Sequence, residues 1–260
     1  MKIVDTHTHI YLPEYDADRH QVITRAMDAG IELMVLPSVD QNSFAAIRQL
    51  HAQYPDITTP AVGIHPTEVT PEWQAQVTDV ERELSEHPGL YKAIGEIGID
   101  LYWDTSGKNR QLDALDAQFS IAADNRLPVL LHCRNGLRET LDVLKPYAAS
   151  IPQTVFHCWG RDADEVARVR SVFPQAFFGI GGIVTFKKSI LPDVLPVIEA
   201  EYIVTETDAP WLAPVPYRGQ RNEPAYLPPV VNAIAKSLAC EPESLSRRLT
   251  DNAYRLLGME

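Results

Sequence analysis

Eight times along the chain a short apolar run gives way to a longer amphipathic stretch, and that alternation limits the fold more than any other feature of the sequence. The runs "IVDTH", "IELMVLPS", "TTPAVGIH", "YKAIGEIGID", "LPVLLHC", "PQTVFHC", "QAFFGIGG" and "EYIVTETDAP" are short and apolar, as buried strands are. Between them, stretches such as "DADRHQVITRAMDAG" and "NRQLDALDAQFSIAADNR" carry apolar residues at helical spacing. Gly30 is placed to cap the first of these. "LPDVLPVIEA" reads as a short helix despite its prolines. Eight strand–helix units in 260 residues predict a (β/α)8 TIM barrel of the α/β class. A doubly wound open sheet is the competitor, weakened because no GxGxxG follows the first strand. From about Trp211 a proline-rich loop leads to two terminal helices. No low-complexity linker or charge block intervenes, so residues 1–260 read as one barrel domain with two C-terminal helices.

The chemistry collects where the strands end. His7 and His9 close the first strand, His65 the third and His132 the fifth; His157 closes the sixth, Glu96 lies on the fourth, and Glu206 and Asp208 end the eighth. Side chains two apart on a strand share a face, which pairs His7 with His9 and Glu206 with Asp208. The histidine pair alone fits backbone-satisfied side chains as well as a metal site. The full set fits the second reading, because a closed barrel brings its C-terminal strand ends to one mouth. Imidazoles and carboxylates there are ligand types that Zn²⁺, Mn²⁺ and Mg²⁺ accept. Cys133 and Cys158 directly follow two of the histidines. Adjacent strand residues face opposite ways, which sends both cysteines toward the helices as small buried hydrophobes.

The formal net charge is −12. That is not the footprint of a tight non-specific nucleic-acid binder, so any such contact must be local. Three cysteines without a CxxC pair fit a reducing compartment. No apolar run approaches the roughly 20 residues of a membrane span, and no basic-then-apolar leader opens the chain. These features predict a cytoplasmic protein with no membrane association.

The segments "DTHTH", "GIHP", "AIGEIGID", "LPVLLHCR", "FHCWG", "GIGG", "VTETDAPWLAP" and "RNEPAYLP", in order over nearly the whole chain, resemble the TatD family of metal-dependent deoxyribonucleases within the amidohydrolase-like barrels. The resemblance implies metal ligands at His7, His9, Glu96, His132, His157 and Asp208, with Glu96 bridging two divalent ions. His65 and Glu206 match family positions near the site, implying substrate, outer-sphere or additional-metal roles.

The implied reaction is phosphodiester hydrolysis by a metal-activated water. DNA, single-stranded or at its ends, is the substrate, with no obligate protein partner evident. Asp208 would act as ligand and general base together, with Glu96, His65 and Glu206 completing the catalytic set. Arg134 and Arg221 are the phosphate candidates, with His65 also near the substrate. Arg138, Arg161, Lys187, Lys188 and Arg218 extend them toward a basic rim. A metal-dependent amide or ester hydrolase, acting on a cyclic amide or an aminoacyl-tRNA ester, stays open as the alternative. So do a small-molecule phosphoesterase and a non-catalytic binding protein. The choice among Mg²⁺, Mn²⁺ and Zn²⁺ is open.

Overall fold

A computed structural model describes residues 1–103 and 105–259 of the chain. The apolar runs form eight strands: β1 (Ile3–Asp5), β2 (Ile31–Leu36), β3 (Thr58–Val62), β4 (Ala93–Asp100), β5 (Val129–Arg134), β6 (Thr154–Phe156), β7 (Phe177–Ile180) and β8 (Ile203–Thr205). Between successive strands come α1 (Arg19–Asp28), α2 (Ser43–Gln53), α3 (Trp73–Glu86), α4 (Lys108–Asn125), α5 (Leu137–Leu144), α6 (Ala163–Val172) and α7 (Leu191–Ile198). Two more, α8 (Leu227–Ser237) and α9 (Pro242–Leu257), follow β8.

Each strand pairs in parallel with the next. The last returns to the first: the Thr6 amide donates to the Thr205 carbonyl at 2.9 Å, and the Thr205 hydroxyl donates to the Val4 carbonyl at 2.8 Å. Thr8 bridges Ala209 beyond them. The predicted (β/α)8 barrel is therefore the observed architecture. Gly30 lies two residues past the end of α1 with φ +91°, and a Cβ there would fall 2.1 Å from the Met1 carbonyl oxygen. Only glycine fits that turn.

Two apolar layers result. Helices pack on the outer strand faces in one large core. Inside the barrel, Val4, Val35, Leu130, Val155 and Phe177 meet Ala253, Leu256 and Leu257 of α9. Helix α9 begins with Pro242 at its first position, where the missing N–H costs nothing. It is tied to the N-terminal segment by the Ser246 and Thr250 hydroxyls, which both donate to the Lys2 carbonyl. One end of the barrel is thereby plugged, and the other stays open.

β1 is shorter than "IVDTH". It stops at Asp5, whose carboxylate accepts from the His7 amide at 3.3 Å and the Thr207 amide at 2.9 Å. The Thr207 hydroxyl also donates to it, at 2.6 Å. Burial pushes the Asp5 carboxyl up to about 8 against the pull of these bonds. His7 and His9 thus leave the strand before they reach the mouth. Cys133 meets the expectation in part: its Sγ lies 3.6 Å from Thr140 Oγ1 of α5, but the residue is only half-buried and borders a cavity at the mouth. Cys158 does not: β6 has ended at Phe156, φ at Cys158 is +49°, and the residue lines a cavity at the mouth.

Candidate metal centre and cleft

Glu96 is the hub of the open end. Its two oxygens face different histidines. Oε2 lies 3.1 Å from His7 Nε2 and 3.6 Å from His9 Nε2. Oε1 lies 2.9 Å from both His132 Nδ1 and His157 Nε2, and 3.4 Å from His65 Nε2. His7 and His9 present their Nε2 atoms to each other at 3.2 Å. His9 Nε2 is 3.7 Å from Asp208 Oδ1, and the His7 and His157 rings stack at 3.9 Å.

The donor set answers whether a cation fits. Nitrogen lone pairs and carboxylate oxygens converge at about 3 Å, with too few protons to make every contact a hydrogen bond. His7 Nδ1, His157 Nδ1 and Glu206 Oε2 are buried with no hydrogen-bond partner. Compact ligand groups form at His7–His9–Glu96, His65–Glu96–His132 and His7–His157–Glu206. Such a set suits divalent metal.

Charge is unevenly held here. Burial opposes ionisation of Glu96, yet His157, His65 and His7 outweigh it and hold the carboxyl well below the usual range. Burial also opposes a charge on His157, and Glu96 and Glu206 override it, raising the imidazole well above its ordinary value. His9 goes the other way, driven down by burial and by His7. Asp208 is pushed up to about 6, by burial first, with the charges of Glu96 and Glu206 adding.

Behind the rings sit side chains that orient them. Asp100 Oδ2 is 3.1 Å from His132 Nε2. Tyr11 Oη is 2.9 Å from His9 Nδ1 and donates to the Pro37 carbonyl at 2.8 Å. Asp100 and Tyr11 went unnoticed in the sequence, although Asp100 ends β4 as the histidines end their strands, and Tyr11 follows His9 by two. Glu206 takes the same part behind His157, 3.5 Å from Nδ1. Its Oε1 accepts the Cys158 amide, and its Oε2 fills the space beside Gly179, where a Cβ would approach to 2.1 Å. Glu206 is not among the residues lining the cleft; it stands behind His157, where the expected outer-sphere or additional-metal role fits its place.

The cleft above the cluster has a volume of about 590 Å³ and is lined in part by His9, His65, Glu96, Arg134, Asp208 and Trp211. An adjoining cavity shares His132, Arg134, His157 and Asp208. Arg134 is at the rim as expected, its guanidinium 3.8 Å from the centre of the Tyr102 ring. Arg221 is not at the cleft. It donates to the Glu14 carbonyl at 2.5 Å and to Asp18 Oδ2 at 2.6 Å, over the Tyr15 ring. Its expected role as a phosphate contact gives way to a structural one. Of the other expected rim cations, Arg161 joins Arg134 in lining the two cavities and pairs with Glu165 at 2.8 Å, whereas Arg138, Lys187, Lys188 and Arg218 do not line them.

A parallel barrel that gathers imidazoles and carboxylates around one glutamate at its C-terminal mouth defines a class, the metal-dependent barrel hydrolases. Within that class, the family profile described as TatD related DNase matches residues 4–258, and the chain belongs to this family. The chain is 32% identical over 255 residues to the uncharacterized metal-dependent hydrolase YabD of Bacillus subtilis (strain 168), covering 98% of each. It is 33% identical over 252 residues to the 3'-5' ssDNA/RNA exonuclease TatD of Rahnella sp. (strain Y9602), covering 95% of this chain and 94% of that one. The crystal structure of YJJV, the TatD homolog from Escherichia coli K12, superposes with a TM-score of 0.89 at 27% identity, covering 98% of this chain and 97% of that one. The protein is thus an enzyme, a hydrolase. No helix among its described residues is long and apolar enough to cross a membrane.

Proposed function

We propose that this enzyme is a nuclease that uses two divalent cations to hydrolyse phosphodiester bonds at single-stranded ends of DNA. The observation that carries the proposal is the division of Glu96, each of whose oxygens faces its own histidines. His7, His9 and Asp208 with Oε2 would hold one ion; His132 and His157 with Oε1, beside His65, would hold the other. The similarity to relatives named 3'-5' ssDNA/RNA exonuclease supports the substrate and admits RNA beside DNA. The imidazole-rich donors favour Zn²⁺, and the carboxylates keep Mg²⁺ and Mn²⁺ as candidates. All three cysteines are free thiols, which supports a reducing, cytoplasmic setting.

When bound, the ions would acidify a water and offset charge on the phosphoryl oxygens. The rest falls to the chain. Asp208, beside His9 at the mouth, would take the proton released by the attacking water. Asp100, Glu206 and Tyr11 fix the ring orientations of His132, His157 and His9, so their inner nitrogens stay aimed at the centre. Arg134 stands at the rim for a phosphate of the strand.

End-labelled single-stranded DNA incubated with the purified protein and Mg²⁺, Mn²⁺ or Zn²⁺ tests this. Progressive shortening that stops on chelation is the expected result. Intact DNA alongside metal-dependent turnover of amide or carboxylic ester substrates would overturn it.

A further inference from the structure

Among the described residues, the exposed large aromatic side chains are Tyr102, Trp103 and Trp211, and they cluster at the mouth of the barrel. Trp103, 71% exposed, and Trp211, 48% exposed, both line the cavity whose floor includes Glu96, His157 and Asp208. A folded chain tolerates scattered apolar surface, but large exposed rings gathered at a cleft mark a binding surface.

Both indoles are tied to the centre by short paths. The Trp103 amide donates to Asp100 Oδ1 at 3.2 Å, and the Tyr102 amide donates to the same oxygen at 2.9 Å. The Tyr102 ring meets Trp103 in a T-shaped contact at 4.8 Å and carries Arg134 on its face. The Trp211 amide donates to the Asp208 carbonyl at 2.9 Å. The Trp211 carbonyl accepts from Asn222 Nδ2 at 2.7 Å, and its ring contacts His9 at 5.4 Å. One indole is therefore anchored through a carboxylate that orients His132, the other through the backbone of Asp208.

The charge distribution says what these rings must supply. The chain carries a net −12, the cleft wall includes Glu14 and Glu68, and Arg161 is already paired. Release of counterions from phosphates, the usual source of affinity for nucleic acid, is small here. Stacking of bases on aromatic faces is the other source and is insensitive to charge and sequence. A base within a duplex has both faces covered, whereas an unpaired base offers them.

From these features we infer that Trp103 and Trp211 form a stacking clamp for unpaired nucleobases, and that this clamp makes the enzyme select single-stranded ends. The inference rests on the nuclease reading above. It also requires a shallow salt dependence, near the slope of about 0.7 expected for a single phosphate contact on a single strand.

The test measures anisotropy of a labelled single-stranded DNA oligonucleotide with the chelated protein, so that binding is read without cleavage, and KM and kcat with the metal-loaded protein. Trp103→Ala and Trp211→Ala should each weaken binding and raise KM by roughly ten-fold, with kcat little changed. Trp→Phe at either position should restore most of the loss. An oligonucleotide with abasic terminal positions should bind the parent as weakly as the intact one binds the alanine variants, with no further loss when both changes are combined. Because both rings are exposed, unchanged thermal melting should accompany these effects. Alanine variants that bind the intact oligonucleotide as tightly as a DNA-cleaving parent overturn the clamp and leave the nuclease reading standing. A metal-loaded parent that neither binds nor cleaves nucleic acid overturns both.

Discussion

The two ends of this barrel are built from the same strands and obey opposite rules. At the plugged end, the aliphatic side chains Val4, Leu130 and Val155 meet Leu256 and Leu257 of α9. At the open end, on β4 and β5 and just past β6, buried and half-buried imidazoles surround a buried carboxylate. Gathering such groups out of water costs stability unless they are paired or hold metal. Stability is therefore concentrated at one end, and strained chemistry is confined to the other.

The sharpest way to break the comparison is one substitution at each end. Glu96→Ala should reduce turnover to background, because it removes the group shared by both histidine sets, while circular dichroism and cooperative melting persist. Leu256→Ala should do the reverse, costing about 2–5 kcal/mol through the cavity it leaves. That is a melting-temperature loss of about 2–4 °C for each kcal/mol in a chain of this size, with kcat intact wherever the protein stays folded. A folded Glu96→Ala protein that keeps most activity, or a Leu256→Ala protein that loses kcat in proportion to stability, would show the ends to be coupled.

A smaller effect is expected one layer behind the metal centre. Asp100→Asn and Glu206→Gln keep the shape and remove the charge that holds His132 and His157. Each should lower metal affinity or activity by about 10–100-fold. Metal titration by calorimetry separates the two readouts, and unchanged affinity together with unchanged rate would reduce both residues to packing.

The smallest effect belongs to the ion pair that holds Arg221. The Arg221 guanidinium keeps the Asp18 carboxyl below its ordinary value. Its contribution is thus present above the unfolded pKa of about 3.9 and is lost as pH falls through the lower folded value. Asp18→Asn should cost under about 1 kcal/mol, removing a small part of the acid side of the stability profile and leaving KM for DNA unchanged. A raised KM would return Arg221 to the substrate path.

How much of this was legible in the sequence depends on the strand. On β5, β6 and β8 the alternation runs true: Leu130, Val155 and Val204 point inside, and His132, His157 and Glu206 follow two residues later on the same face. β4 slips register between Ile94 and Ile97, so Ala93 faces the interior and Glu96, three residues on, reaches the cluster. β1 ends at Asp5, three residues before Thr8 re-forms a bridge, and His7 reaches the mouth off the parity of Val4. The residue types alone identify these ligands, whereas strict alternation misplaces Glu96 and both members of the His7–His9 pair. Glu206 shows the opposite case: parity put it on the right face, but its depth behind His157 depends on the gap at Gly179, on another strand. The pairing of Arg221 is hidden from the sequence for a related reason. Its partner Asp18 lies 203 residues away along the chain, and no local pattern announces such a pairing.

The return of β8 to β1 has a further consequence, for association. An open sheet ends in a strand whose amides and carbonyls can recruit another chain, and proteins must blunt such borders with charge, proline or bulges. Here the Thr6 amide and the Thr205 carbonyl satisfy each other, and the His9 amide bonds the Ala209 carbonyl, so among the described residues β1 and β8 close on each other instead of forming such a border. Self-assembly through strand addition must wait until those two strands part. Opening of that seam is the event that would expose strand edges for such assembly.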